Sequence, residues 1–212
     1  YSLEKGEPAV KIGKKEDLSD AQEFKGTATE INRSNQKNTY KASNKVTVEG
    51  FFEENTTYYY SYTDDVKNPA WSEVQSYTTK KTTSFQTILV GDPQIGASKG
   101  QPQGDGELVN DDGAANTAAE NDGFAWNRTL QTAAQQNADL NFVISAGDHV
   151  NKTGKPKEEE YAAYLDSEVL SGLAVATTIG NHDSLNEDYM YHFNNPNATE
   201  LGTTAAGGDY YY

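Results

Sequence analysis

The chain has 212 residues, of which 35% are hydrophobic, 23% charged and 11% aromatic, and 32 acidic against 17 basic side chains give a formal charge of −15. That length suits one large domain or two small ones. No apolar run approaches the ~20 residues that cross a bilayer, and the acidic balance argues against a nucleic-acid backbone as partner. Zero cysteines exclude disulfides, thiolate metal sites and a Cys nucleophile. The 14 Tyr, 7 Phe and 2 Trp supply aromatic surface for a core despite a mean hydropathy of −0.82.

Residue 1 is Tyr and no basic-then-apolar segment follows it, so the sequence reads as beginning inside a longer precursor. Residues 1–82 read as all-β. Residues 9–13 form a short alternating run, 45–49 (Lys-Val-Thr-Val-Glu) read as a half-buried strand, 55–62 are rich in Thr and Tyr, and 71–78 alternate again. Short strands with turn residues between them predict a small β-sandwich, with Tyr58 to Tyr62 facing its core rather than a sugar. Residues 80–84 are polar and read as a linker.

From Phe85 the rhythm changes. Residues 87–90 are a compact apolar strand, 124–138 a helix with Phe124, Trp126, Leu130 and Ala134 on one face, and 140–146 a second strand. Residues 158–170 form a second helix with an acidic first turn, and 173–179 a third strand. Strand alternating with helix predicts a sheet with helices on its faces. Residues 98–123 read as a long polar loop whose Asp-Gly pairs lack the spacing of a calcium loop. The end, Gly207-Gly208-Asp209 followed by Tyr210 to Tyr212, reads as the opening of a strand. Five Asn-x-Ser/Thr matches, at Asn32, Asn55, Asn127, Asn151 and Asn197, are what chance gives in a chain this rich in Asn and Thr.

Each apolar run of the second half stops at a glycine followed by metal-ligating side chains: Gly91-Asp92-Pro93-Gln94, Gly147-Asp148-His149 and Gly180-Asn181-His182-Asp183. Ligands of such sheets bind at the carboxyl ends of the strands. A mixed set of Asp, Asn, Gln and His suits Zn, Mn, Fe or Co better than Ca. Singly, each Gly-Asp is an ordinary turn; three in succession after buried strands point to a metal site.

The order Gly-Asp-x-Gln, Gly-Asp, Gly-Asn-His-Asp resembles the calcineurin-like metallophosphoesterases. Val46 to Phe51, Thr57 to Tyr60 and Trp71 to Thr79 resemble the fibronectin type III-like domain that precedes the phosphatase domain in purple acid phosphatase-like proteins. The resemblance implies a β-sandwich over residues 1–82 and the N-terminal half of an α/β metallophosphoesterase domain over 83–212. It implies two divalent or mixed-valence ions (Fe, Zn or Mn), bound through Asp92, Gln94, Asp148 as bridge and Asn181. His182 would contact the phosphate and protonate the leaving oxygen, oriented by Asp183, and a metal-bound hydroxide would attack phosphorus. The implied substrates are phosphorylated small molecules or phosphoproteins, and the implied setting extracellular or cell-surface.

The departures also carry implications. Gln94 stands where many members have His, a weaker and neutral ligand. Asn151 stands where the purple enzymes have tyrosine. The family's downstream lone His and Gly-His-x-His have no counterpart, since the chain holds only His149, His182 and His192, the last read as a surface or loop residue. The resemblance therefore implies that the rest of the domain lies in a missing segment or another chain, and that these 212 residues alone are inactive. An extracellular binding module is the alternative.

Overall fold

The computed structural model describes residues 1–32, 40–98, 117–151, 157–184 and 188–196. The expected strand at 210–212 and most of the polar loop between 98 and 117 lie outside them. The chain divides into two compact units, Tyr1–Ser84 and Phe85–Tyr212.

The described residues of the first unit form six strands: β1 (Ala9–Gly13), β2 (Gln22–Lys25), β3 (Thr27–Glu30), β4 (Ala42–Lys45), β5 (Thr57–Thr63) and β6 (Gln75–Thr78). They form an antiparallel sheet in the order β2-β1-β5-β6 and a separate β3-β4 pair. Tyr58 is fully buried, with the rings of Phe51 and Phe52 at 5.4 and 5.0 Å, and its hydroxyl accepts from Glu53 N at 2.8 Å. Four residues on, Tyr62 is 51% exposed, so the tyrosine run does not face the core throughout.

Two strands are shorter than the alternation of their residues predicts. The β3-β4 ladder ends at the Thr27↔Lys45 pair, because the preceding Gly26 turns its N–H to Pro8 O at 2.8 Å. Val46 to Glu49 thus lie outside any strand. Likewise β6 begins at Gln75, because the Ser72 hydroxyl takes the N–H of Tyr62 (3.1 Å) ahead of it. Local hydroxyl bonds compete with the ladder in this way.

In the second unit, β7 (Gln86–Val90), β8 (Leu140–Ser145) and β9 (Ala174–Thr177) form a parallel sheet in chain order. The connections carry α1 (Thr117–Gln136), α2 (Glu158–Leu165) and α3 (Glu168–Gly172), and α4 (Asp188–His192) follows β9. Alternation sets the faces: Val143, Ser145 and Thr177 are fully buried, while Leu89 on the opposite face is 70% exposed. Trp126, Leu130, Tyr161, Tyr164, Tyr189 and Phe193 form the core with Ile95 and Val150.

The helices correct two expectations. Helix α1 starts at Thr117, inside the segment read as loop, and Phe124 is exposed. The buried stripe runs through Ala119, Gly123, Trp126 and Leu130, since Gly123 lies against Ala163 of α2. The helix expected over 158–170 is broken in two. Ser167 is extended (φ −116°, ψ 123°) and its hydroxyl donates to Asn127 Oδ1 of α1 at 3.0 Å.

Candidate functional site

The three Gly-containing loops lie at the carboxyl ends of the three parallel strands, joined by backbone bonds and by the Asp148 carboxylate. Asp92 N donates to Gly147 O (3.1 Å), Gln94 N to Asp148 O (2.9 Å) and Ile95 N to His149 O (3.1 Å), so the first loop runs on beside the second past the end of the sheet. Asp148 Oδ1 accepts from His182 N at 2.8 Å, which ties the second loop to the third. The glycines make this proximity feasible. Gly147 has φ +89° and stands against the backbone of Gly180, and a Cβ on Gly180 would collide with the Asp148 carboxylate.

The backbone is strained where these side chains emerge. Among the described residues, the non-glycines with positive φ are Leu18, Asn55, Asp92 (53°), Gln94 (40°) and Asp148 (51°). The three in the second unit are three of the residues the motifs single out. Left-handed backbone costs an L-residue about 1–2 kcal/mol, and such strain gathers where a side chain must be aimed for a function.

Asp92 and Asn181 are exposed, Gln94 and His182 half-buried, and Asp148 is buried. Gln94 Nε2 donates to Asp92 Oδ1 at 3.3 Å, turning the amide toward the carboxylate. His182 Nδ1 lies 2.6 Å from Asn151 O. A carbonyl only accepts, so Nδ1 carries the proton and Nε2 is the nitrogen left for other chemistry.

Asp183 does not orient His182. It is fully buried, and its Oδ2 takes His149 Nδ1–H at 3.0 Å and Gly180 N–H at 3.0 Å, while Oδ1 takes the Tyr161 hydroxyl at 2.9 Å. Burial alone would raise the carboxyl; bonds from His149, Gly180 and Tyr161 outweigh it and hold the group below the usual carboxylate range. Burial beside that carboxylate raises the Tyr161 hydroxyl far out of its usual range. His149 is itself fully buried among aromatic rings, with Tyr164 at 4.9 Å and Phe193 at 5.1 Å, and its Nε2 has no hydrogen-bond partner among the described residues.

Lys157 is also buried, donating to His182 O. Burial lowers its amine below the ordinary lysine range, against the opposing pull of Asp183, Asp188, Glu160 and Asp148. In the sequence it merges with an apparently solvated Lys-Glu-Glu-Glu run. Tyr161 could have been found as a hydroxyl on an apolar helix face, which needs a partner when buried. His192, expected at the surface, is a half-buried helical residue of α4 whose ring stacks on Tyr161 at 4.0 Å.

Were these residues to bind a metal, they would supply the carboxylates of Asp92 and Asp148 and the amide oxygens of Gln94 and Asn181 from the loops at the strand ends. His149 spends its Nδ1 on Asp183, and among the described residues no group of three or more His, Cys, Asp or Glu is disposed to hold a metal ion. The donors fit part of the shell of a divalent cation and do not complete a two-ion site by themselves.

No protein-family model matches the sequence, and no curated protein matches it. Among solved structures it is similar to purple acid phosphatase PPD1 from yellow lupin (Lupinus luteus) seeds, with a TM-score of 0.54 over 99% of this chain at 16% identity. The chain spans 35% of that structure's length. The likeness is one of fold.

Proposed function

We propose that the second unit contributes part of a metal-dependent phosphoester-hydrolase site, with Asp92, Gln94, Asp148 and Asn181 as oxygen ligands. The observation that carries this reading is the strained backbone at Asp92, Gln94 and Asp148, three ligand candidates on adjoining loops at a parallel-sheet edge. The fold likeness to a purple acid phosphatase supports it.

In this reading the ions, two of Fe, Zn or Mn, supply Lewis acidity toward a phosphoryl oxygen. The chain's own residues do the rest. Asp148 is held by His182 N–H so that one carboxylate oxygen is fixed. The Asn151 carbonyl fixes the His182 ring through Nδ1–H, and Nε2 would place a proton on a leaving oxygen from the doubly protonated ring. Substrates are phosphorylated small molecules or phosphoproteins. Residues 1–82 form a fibronectin type III-like sandwich, and the protein works outside the cytoplasm.

The test is hydrolysis of p-nitrophenyl phosphate by the full-length protein loaded with Mn²⁺, Zn²⁺ or iron. Asp148→Asn abolishes turnover with the melting temperature retained; turnover equal to wild type refutes the role given to Asp148. A second reading, a binding module with an incomplete site, is favoured by the lack of a three-ligand cluster among the described residues. It gains if the full-length protein retains no metal and hydrolyses no monoester, diester or nucleotide.

A further inference from the structure

We infer that Asp183 and His149 act together as a positioning pair, holding the Gly180-Asn181-His182 loop at the distance from Asp148 that the ligands require. The inference rests on the metal reading of the strand-end loops. Sequence order alone pairs Asp183 with its neighbour His182, and the structure pairs it with a histidine 34 residues away.

The geometry makes Asp183 a junction. One oxygen binds the third loop through Gly180 N–H and the second loop through the His149 imidazole, and the other binds α2 through Tyr161. Gly180 and His182, which flank Asn181, are thus bonded to Asp183 and Asp148 respectively. A carboxylate this deeply buried is costly unless each oxygen is satisfied, and here both are. His149 is present for one nitrogen: Nδ1 makes the bond, and Nε2 makes none among the described residues. If the ring served only to fill the aromatic pocket, an apolar side chain would serve at least as well.

That contrast sets the experiment. His149→Leu keeps apolar bulk and removes the donor. His149→Asn is smaller but returns an amide N–H near the position of Nδ1. Asp183→Asn keeps the shape and removes the charge. In the full-length protein, calorimetric titration with Mn²⁺ alone is expected to give Kd values about tenfold or more above wild type for His149→Leu and Asp183→Asn, with His149→Asn restored to within about threefold. Amide hydrogen exchange at Gly180 and His182 is expected to accelerate by a similar factor in the first two variants, while Leu130 in α1 keeps its rate. Wild-type Mn²⁺ affinity in His149→Leu, or His149→Asn behaving no better than His149→Leu, overturns the proposal. So does acceleration at Leu130 as large as at Gly180, which would mark general loosening. If wild type takes up no Mn²⁺, the metal reading itself fails, and the exchange rates alone decide whether Asp183 holds the loop.

Discussion

The two units are stabilised in different ways. In Tyr1–Ser84 the buried groups are apolar side chains, aromatic rings and small hydroxyls such as Ser43, Ser61 and Thr63. Among its described residues no charged side chain is fully buried: Lys45 is half-buried, with burial lowering its amine, and others lie in surface pairs such as Lys14–Glu53 at 2.6 Å. In the second unit Asp148, His149, Lys157, Glu160, Asp183 and Asp188 are all buried. Desolvating the carboxylates and the amine among these costs several kcal/mol each, and pairing recovers only part of it. A stable fold does not require this, as the first unit demonstrates. The difference locates where the molecule gives up stability for a fixed arrangement of side chains.

The largest expected effect tests the apolar side of this contrast. Tyr58→Ala removes a fully buried ring packed on Phe51 and Phe52 and is expected to cost the first unit about 3–5 kcal/mol. Each unit contains one tryptophan, Trp71 and Trp126. Urea unfolding followed through Trp71 in a Trp126→Phe background reads the loss directly. A shift below about 1 kcal/mol would mean that the ring is not the centre of that core.

The next compares two lysines. Lys157→Met removes a buried cation among Asp183, Asp188 and Glu160, and is expected to destabilise the second unit by about 3 kcal/mol, because the carboxylates remain buried without it. Lys14→Met breaks an exposed pair and is expected to leave the melting temperature of the first unit unchanged. Equal effects from the two would remove the distinction between the units.

How far these features were legible depends on range. The three strand-end loops were, because an apolar run that stops at Gly and then Asp or Asn is a local pattern, and parallel pairing brings such ends together. Asp183's partner was not. His149 and Tyr161 reach it from a different loop and from a helix, and a sequence shows residue types without showing which ones converge. The same limit applies to β4. Val46 to Glu49 alternate as a strand should, but Gly26 leaves them no partner ladder. Phe124 is exposed because the buried stripe of α1 passes through Gly123, and glycine carries no hydrophobic signal in a sequence.

The smallest expected effect separates two kinds of backbone strain. Leu18 in the first unit and Gln94 in the second both have positive φ, 56° and 40°. Leu18 sits in a turn, with its N–H on Lys15 O and its carbonyl accepting from Ala21 N, and no site chemistry adjoins it. Gln94 follows Asp92 and directs its amide to that carboxylate. Glycine relieves left-handed strain but loses more freedom on folding, so Leu18→Gly and Gln94→Gly are each expected to change stability by no more than about 1 kcal/mol. Their effects on Mn²⁺ binding by the full-length protein should differ. Gln94→Gly weakens binding several-fold, since an amide oxygen is lost beside Asp92, and Leu18→Gly leaves it unchanged. If Gln94→Gly binds Mn²⁺ as wild type does, the strain at Gln94 is a turn like that at Leu18, and the ligand set contracts to Asp92, Asp148 and Asn181.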